Sequence, residues 1–263
     1  MRRVPLLVAA FAAAAALPLA SAQAPGAWAT LKGRVVFPAD QPIPVRAPLV
    51  VNQDQKHCLS KGPILDEDRI VDPKTRGIRN VVVWLRPDAM DPKAKLKANE
   101  IHPDDAKRQP ATVVIDQPCC MFTPRVTAAR VGDLVEVKNP APVAHNFFWG
   151  SQQNGNFNVI LPPGQPFKFP NPLAAESAPI QYKCTIHPWM LGYVRIFDHP
   201  YYAVTGDDGT FTIPNAPVGT YRLVVWHEKV GFLGGAPGRF GTPVVIKGGG
   251  TELPVMPYTE LAK

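Results

Sequence analysis

Between Lys183 and Met190 the chain reads KCTIHPWM, which places a thiol at Cys184, an imidazole at His187 and a thioether at Met190. A second imidazole, His145, stands well upstream in the segment AHNFFW. One strong thiolate, two imidazoles and a weak axial thioether form the trigonal set in which copper exchanges single electrons between its two oxidation states. The chemistry these residues could do is therefore one-electron transfer at a type 1 copper ion. Structural zinc usually takes Cys and His alone, and a set with one Cys and one Met does not suit it.

Such a set needs two strand ends to hold it. Cys184 closes the run IQYKC and GYVRIF follows Met190, so a tight loop can leave one strand, wrap the ion and enter the next. That loop cannot close the site alone, and His145 must come from a separate strand end. The whole sequence fits this demand: helical periodicity is nearly absent, and short Val, Ile, Phe, Tyr and Thr runs alternate with Pro, Gly, Asn and Asp clusters. This is an all-β pattern. The 31 prolines mark loops and edge strands, because the apolar fraction, 46%, is that of a globular protein.

Two strands are expected first, at residues 30–37 (TLKGRVVF) and 78–87 (IRNVVVWLRP), separated by a polar loop that carries Cys58. Residues 88–110 are charged and read as a surface excursion or a boundary, with room for one helical turn near Lys93–Asn99. Seven strands follow: ATVVIDQ, PRVTAARV, DLVEVKN, AHNFFW, PFKFP, IQYKC and GYVRIFD. They suffice for a compact sandwich or barrel. The last block, from YYAVTGDDGTFTIP to TPVVIKGGGTELPV, reads as further strands, with a hairpin turn at Asp208 and Gly209 rather than a calcium loop, since the alternating oxygen donors of such a loop are missing. No phosphate-binding Gly loop or Gly-x-Ser-x-Gly elbow occurs.

Residues 1–22, with Arg2 and Arg3 before an Ala- and Leu-rich stretch and a small-residue cleavage motif after Ala22, read as a secretory signal peptide; Ala24 is the alternative cleavage point, and a retained anchor is the weaker reading. The expected location is periplasmic or secreted. Losing the two arginines lowers the net charge from +7 to +5. The remaining Lys and Arg residues are scattered, so nucleic-acid binding is not expected and the charge bears on meeting an acidic partner. With Cys184 assigned to copper, Cys58, Cys119 and Cys120 remain. Adjacent cysteines rarely bridge, so Cys58 is expected to join one of the pair, the alternative being buried free thiols. Of the other histidines, His57 and His102 are expected to be solvated, and His199 and His227 to be hydrogen-bonded at strand ends. Trp149 reads as core, and Trp189 as core or part of an apolar docking face.

The second block resembles the cupredoxins, and its Cys-x-x-His-x-x-Met loop resembles the short-loop amicyanin type. The resemblance implies His145 and His187 as imidazole ligands, Cys184 as the thiolate and Met190 as the axial thioether. It implies that Asn146 ties the two ligand-bearing loops together. A purple dinuclear copper site is not expected, because its loop needs a second cysteine and position 188 is Pro. The segment CMFTPR resembles the start of the cupredoxin core, which favours Cys120 over Cys119 as the partner of Cys58.

The segment TGDDGTFTIPNAPVGTYRLVVWHE resembles the carboxypeptidase-regulatory-like family, a transthyretin-like sandwich, whose opening strands GRVVF and VVVWLR resemble. The implied arrangement is discontinuous, with residues 27–105 and 200–259 as one sandwich and 111–198 as a cupredoxin domain inserted between its halves. The combination also resembles exported bacterial proteins of the methylamine-utilisation-like kind. The expectation is an exported blue copper protein with no catalysis of its own. It would carry single electrons between redox partners such as a c-type cytochrome or a periplasmic oxidoreductase. The alternatives are copper delivery, or a cell-surface interaction module with an incidental copper site.

Overall fold

The computed structural model describes residues 27–262; the expected signal peptide lies outside them. Strands β1 (Trp28–Val36) and β2 (Val82–Pro87) come first. Then follow β3 (Thr112–Ile115), β4 (Val126–Arg130), β5 (Leu134–Val137), β6 (His145–Gly150), β7 (Asn156–Leu161), β8 (Phe167–Lys168), β9 (Ile180–Lys183) and β10 (Leu191–Phe197). The last part holds β11 (Tyr202–Val204), β12 (Thr210–Pro217), β13 (Gly219–His227), β14 (Gly231–Phe232), β15 (Thr242–Ile246), β16 (Thr251–Glu252) and β17 (Met256–Pro257). Among the described residues, helix is confined to short turns such as α1 (Gln55–Cys58) and α2 (Pro103–Ala106). The fold is all-β.

The strands form four sheets: β12-β1-β16 with β17 also on β1, β11-β2-β13-β14 with β15 on β13, β4-β10-β9-β6-β7, and β3-β5-β8. Alternation along the strands shows how these sheets stack. In β2, Val83 and Leu85 enter the core shared with Leu31, Val35, Phe211 and Ile213 of the first sheet. Val82 and Trp84 face the other way, onto Val126 and Phe197 of the third. β13 divides likewise, with Leu223 and Val225 on one side and Val224 and Trp226 on the other. A strand covered on both faces must read as an unbroken apolar run, which is why VVVWL carries no alternation. The third and fourth sheets enclose their own core around Phe147, Trp149, Tyr182, Val135 and Val137.

β1 pairs antiparallel with β12, and β2 with β13, so strands from before residue 88 and after residue 200 share sheets. Residues in the connection between β1 and β2 do more than link these strands. Val51, Cys58 and Ile64 are buried in the core of the third and fourth sheets.

Two local expectations change, and a third gains detail. β7 was not foreseen: Asn and Gly surround NFNVIL, yet Phe157, Val159 and Leu161 alternate inward along it. The charged stretch 88–110 runs over the surface as expected, and it is anchored there. Leu96 and Ile101 pack on the first core, the Tyr201 hydroxyl donates to Glu100 O at 2.8 Å, and Arg108 grips Asp133 through both nitrogens. The turn at Asp208–Gly209 does not make a hairpin, since β11 pairs with β2 and β12 with β1. It is a corner between sheets, and Gly209 (φ +76°) lies so near β1 that a Cβ would stand 2.2 Å from Val35 O.

Polar contacts across the middle of the stack centre on Arg125, just before β4. Its guanidinium is nearly buried and meets Glu228 Oε1 at 2.5 Å and Asp68 Oδ1 at 2.9 Å. Truncation would leave the buried Glu228 carboxylate uncompensated. Arg125→Ala is therefore expected to destabilise the protein by about 3–5 kcal/mol, measured by urea unfolding, whereas a loss comparable to a surface pair, under about 1 kcal/mol, would contradict this account.

Candidate metal centre

The ligand-bearing elements belong to one sheet. β6 begins with His145, and β9 and β10 are antiparallel neighbours joined by residues 184–190. That loop closes on itself: Cys184 N donates to Met190 O at 3.1 Å and Met190 N to His187 O at 2.9 Å. β10 can follow so closely because Gly192 has no side chain, and a Cβ there would stand 2.2 Å from the Tyr182 ring.

Asn146 joins the two sides. Its backbone N–H donates to Cys184 Sγ at 3.2 Å, its side-chain oxygen accepts from Thr185 N at 3.2 Å, and its amide nitrogen donates to Asn158 Oδ1 at 2.8 Å. The His187 N–H also points at Cys184 Sγ, at 3.4 Å. Two backbone N–H groups are thus aimed at one buried sulfur.

His145, Cys184 and His187 are buried, and their donor atoms lie within 4.8 Å of one another. His145 Nδ1 is 3.0 Å from His187 Nδ1, which is 3.8 Å from Cys184 Sγ. Donors that each stand about 2.0–2.3 Å from one ion must be separated by about this much, so the trio fits a single metal ion. Burial pushes the His145 pKa down to about 4, with His187 adding to the effect. Burial also lowers that of His187, against the pull of Asp54. Both rings are thus neutral near pH 7, with lone pairs free to bind. Met190 is buried in the same core, and its backbone closes the loop.

Sequence reasoning missed Asp54. Its Oδ2 lies 2.9 Å from His187 Nε2, and it comes from the connection between β1 and β2. No ligand spacing marks it; the available signal was its place four residues before Cys58. Cys58 is bonded to Cys120, and Cys119 is free. Cys58, Cys120 and His187 also cluster, but the two sulfurs are already bonded to each other. His57, expected to be solvated, is half-buried with Nε2 enclosed. It lies close enough to add to the lowering of the pKa of His145 and His187. Trp189 donates from Nε1 to Cys120 O at 3.1 Å and packs against the His187 ring.

The remaining histidines stay apart from this set. His102 Nδ1 accepts from Asp104 N at the start of α2, and the ring packs edge-on against Trp28. His199 and His227 are buried, and each accepts a backbone N–H at Nδ1, from Tyr201 at 3.1 Å and Lys229 at 3.2 Å. Those bonds require the neutral ring.

A scan against protein-family models finds no match, and a search of curated proteins finds none. Among solved structures, the chain is similar to a purple cupredoxin from Nitrosopumilus maritimus, with 23% identity over 32% of this chain and 99% of that one, at a TM-score of 0.28. It is also similar to a reduced tryptophan-to-tyrosine mutant of amicyanin, with 22% identity over 35% of this chain and 89% of the other, TM-score 0.30. A Cu(I) amicyanin mutant with methionine replaced by alanine gives 21% identity over 33% and 82%, TM-score 0.29.

Burial pushes the His227 pKa down to about 4 from an ordinary 6.5. The unfolded chain therefore takes up a proton that the folded one refuses as pH falls from 6.5 towards 4. The stabilisation is complete above pH 6.5 and declines by about 3 kcal/mol over that window, about 2 of it by pH 5. Urea titrations of wild type and His227→Gln at several pH values should show the variant losing close to one proton of this dependence. Equal slopes would argue against a buried neutral His227.

Proposed function

We propose that this chain is an exported type 1 copper protein that carries single electrons and catalyses no reaction of its own. The observation that carries the reading is the convergence of two neutral, buried imidazoles on a buried sulfur that accepts two backbone N–H groups. His145, Cys184 and His187 would hold the ion, with Met190 as the weak axial donor. Bound copper supplies a one-electron couple.

The chain's contribution is constraint. Asn146 fixes the thiolate between two strand ends, and the closed loop 184–190 prevents the donors from spreading as the charge on the site changes. Geometry that cannot relax suits rapid electron exchange, because little has to rearrange. Burial of all three donors also weighs against the copper-delivery alternative, since a metal to be handed over needs ligands that a partner can reach.

The Cys58–Cys120 bond supports an oxidising compartment, in keeping with the signal peptide read from residues 1–22. No helix among the described residues is long and apolar enough to cross a membrane. Exchange partners of the expected kind are a c-type cytochrome or a periplasmic oxidoreductase.

The copper-loaded oxidised protein should show an intense visible thiolate-to-copper band that Cys184→Ser abolishes. A colourless loaded protein, or a band that survives the substitution, would overturn the assignment. Within the same set, Met190→Leu should keep the colour and raise the reduction potential, because a weak axial donor tunes the couple more than it holds the ion. His145→Ala should damage the site far more; equal copper loss in the two variants, measured by metal analysis, would contradict that ranking.

A further inference from the structure

The loop around His187 is open on its flanks: Thr185 and Pro188 are exposed, yet the His187 ring is fully buried. What covers it is the connection between β1 and β2. We propose that residues 51–58 form a built-in cap on the metal centre, in which Asp54 is a positioning residue that holds His187 and lowers the reduction potential. The proposal rests on the copper reading above.

The contact fixes a tautomer. An ionised carboxylate only accepts hydrogen bonds, so the Asp54 oxygen 2.9 Å from His187 Nε2 requires the proton on Nε2 and leaves the Nδ1 lone pair facing His145 and Cys184. A carboxylate behind a ligating imidazole orients the ring and raises its basicity. His145 has no such support, because its Nε2 is buried without a protein partner. The two imidazoles are therefore unequal, and one of them brings negative charge towards the ion. That charge stabilises Cu(II) more than Cu(I).

The cap is held by a closed chain of links. Asp54 contacts His187; two residues on, Trp189 Nε1 donates to Cys120 O at 3.1 Å; Cys120 is bonded to Cys58; and α1 leads from Cys58 back to Asp54. Asp54 O accepts from both His57 N and Cys58 N at 2.9 Å, and Gln55 Nε2 donates to Val51 O at 2.8 Å. Asp54 adopts φ +47°, a left-handed conformation that Asp and Asn tolerate better than other side chains. Its side chain is 38% exposed and borders an open depression of about 510 Å³ lined by Lys56, His57, Pro142 and Val143. A redox partner on this face would meet the Asp54 carboxylate before the imidazole.

Asp54→Asn isolates the charge, since Asn keeps the size, tolerates the backbone conformation and can still accept from Nε2. The blue band should persist in this variant, while the ratio of Cu(I) to Cu(II) affinity rises at least tenfold, a shift of about 59 mV to higher potential. Asp54→Ala, which also removes the acceptor, should weaken copper binding further. A folded, blue Asp54→Asn protein with unchanged potential would overturn the proposal and reduce Asp54 to a structural role. A measurement on the wild type covers failure of the variants to fold: in the Cu(I)-loaded protein, proton–nitrogen correlation spectra of the imidazoles should show a protected, strongly deshielded His187 Nε2–H. Rapid exchange of that proton with water would overturn the proposal. If the wild type binds no copper, both this inference and the functional reading fall; blue wild-type protein with a negative result in either test sinks this inference alone.

Discussion

Two imidazoles and a thiolate can share an ion only if strand ends far apart in sequence are locked together, and Asn146 supplies the lock. It lies 38 positions before Cys184, and it meets the sulfur through its backbone and Thr185 through its side chain. The same side chain reaches β7, so three segments are tied at one residue. Every contact is a hydrogen bond made by a buried group, and each would cost more to leave unmade than it contributes net. The local geometry is therefore over-determined, which is the condition for holding the His145, Cys184 and His187 donors close together.

That lock works inside an apolar core, and the burial has an electrostatic consequence. Imidazoles deprived of water lose their charged form, so burial lowers the pKa of both His145 and His187, with His57 adding to the effect. The same burial creates the problem of the outer imidazole nitrogens. For His187 it is solved by Asp54, a carboxylate with one side towards solvent. For His145 it is not solved by any protein group. Differences of this kind set the electronic asymmetry of a site whose ligands look equivalent in the sequence.

The strand pattern and the grouping of Cys184, His187 and Met190 were legible because each leaves a local trace, alternation along a strand or a fixed spacing within a loop, whereas Asn146 came only through a likeness to a known family. The bond between Cys58 and Cys120 was favoured only through a likeness to the start of a known core, and the structure forms it. Asp54 left no trace beyond its place four residues before Cys58. It belongs to no motif, and its role arises from where the β1–β2 connection travels, a long-range property that neither propensity nor periodicity encodes. β7 was missed because Asn and Gly in SQQNGNFNVI mask a short alternation. The turn at Asp208 was misread for a related reason: Asp-Gly specifies a tight reversal, but not whether the strands on either side pair with each other.

The route of that connection also explains why the two halves of the molecule share more than a boundary. β2 and β13 form a sheet apolar on both faces, which could not stand in water with one face bare. β4 and β10 cover it, and β10 is the strand that leaves the metal loop. Between β1 and β2 the chain crosses in the opposite direction, buries Val51, Cys58 and Ile64 in the other core, and delivers the carboxylate that closes over His187. Each half thus supplies a wall that the other lacks: an apolar lid for a two-faced sheet in one direction, a polar lid for the His187 ring in the other. Arg125 sits at the crossing, satisfied only by acids that the flanking strands and loops bring to it. A cut between the halves would therefore expose apolar surface, orphan a buried cation and uncover the imidazole at once, which makes the joined arrangement the unit on which the candidate site depends.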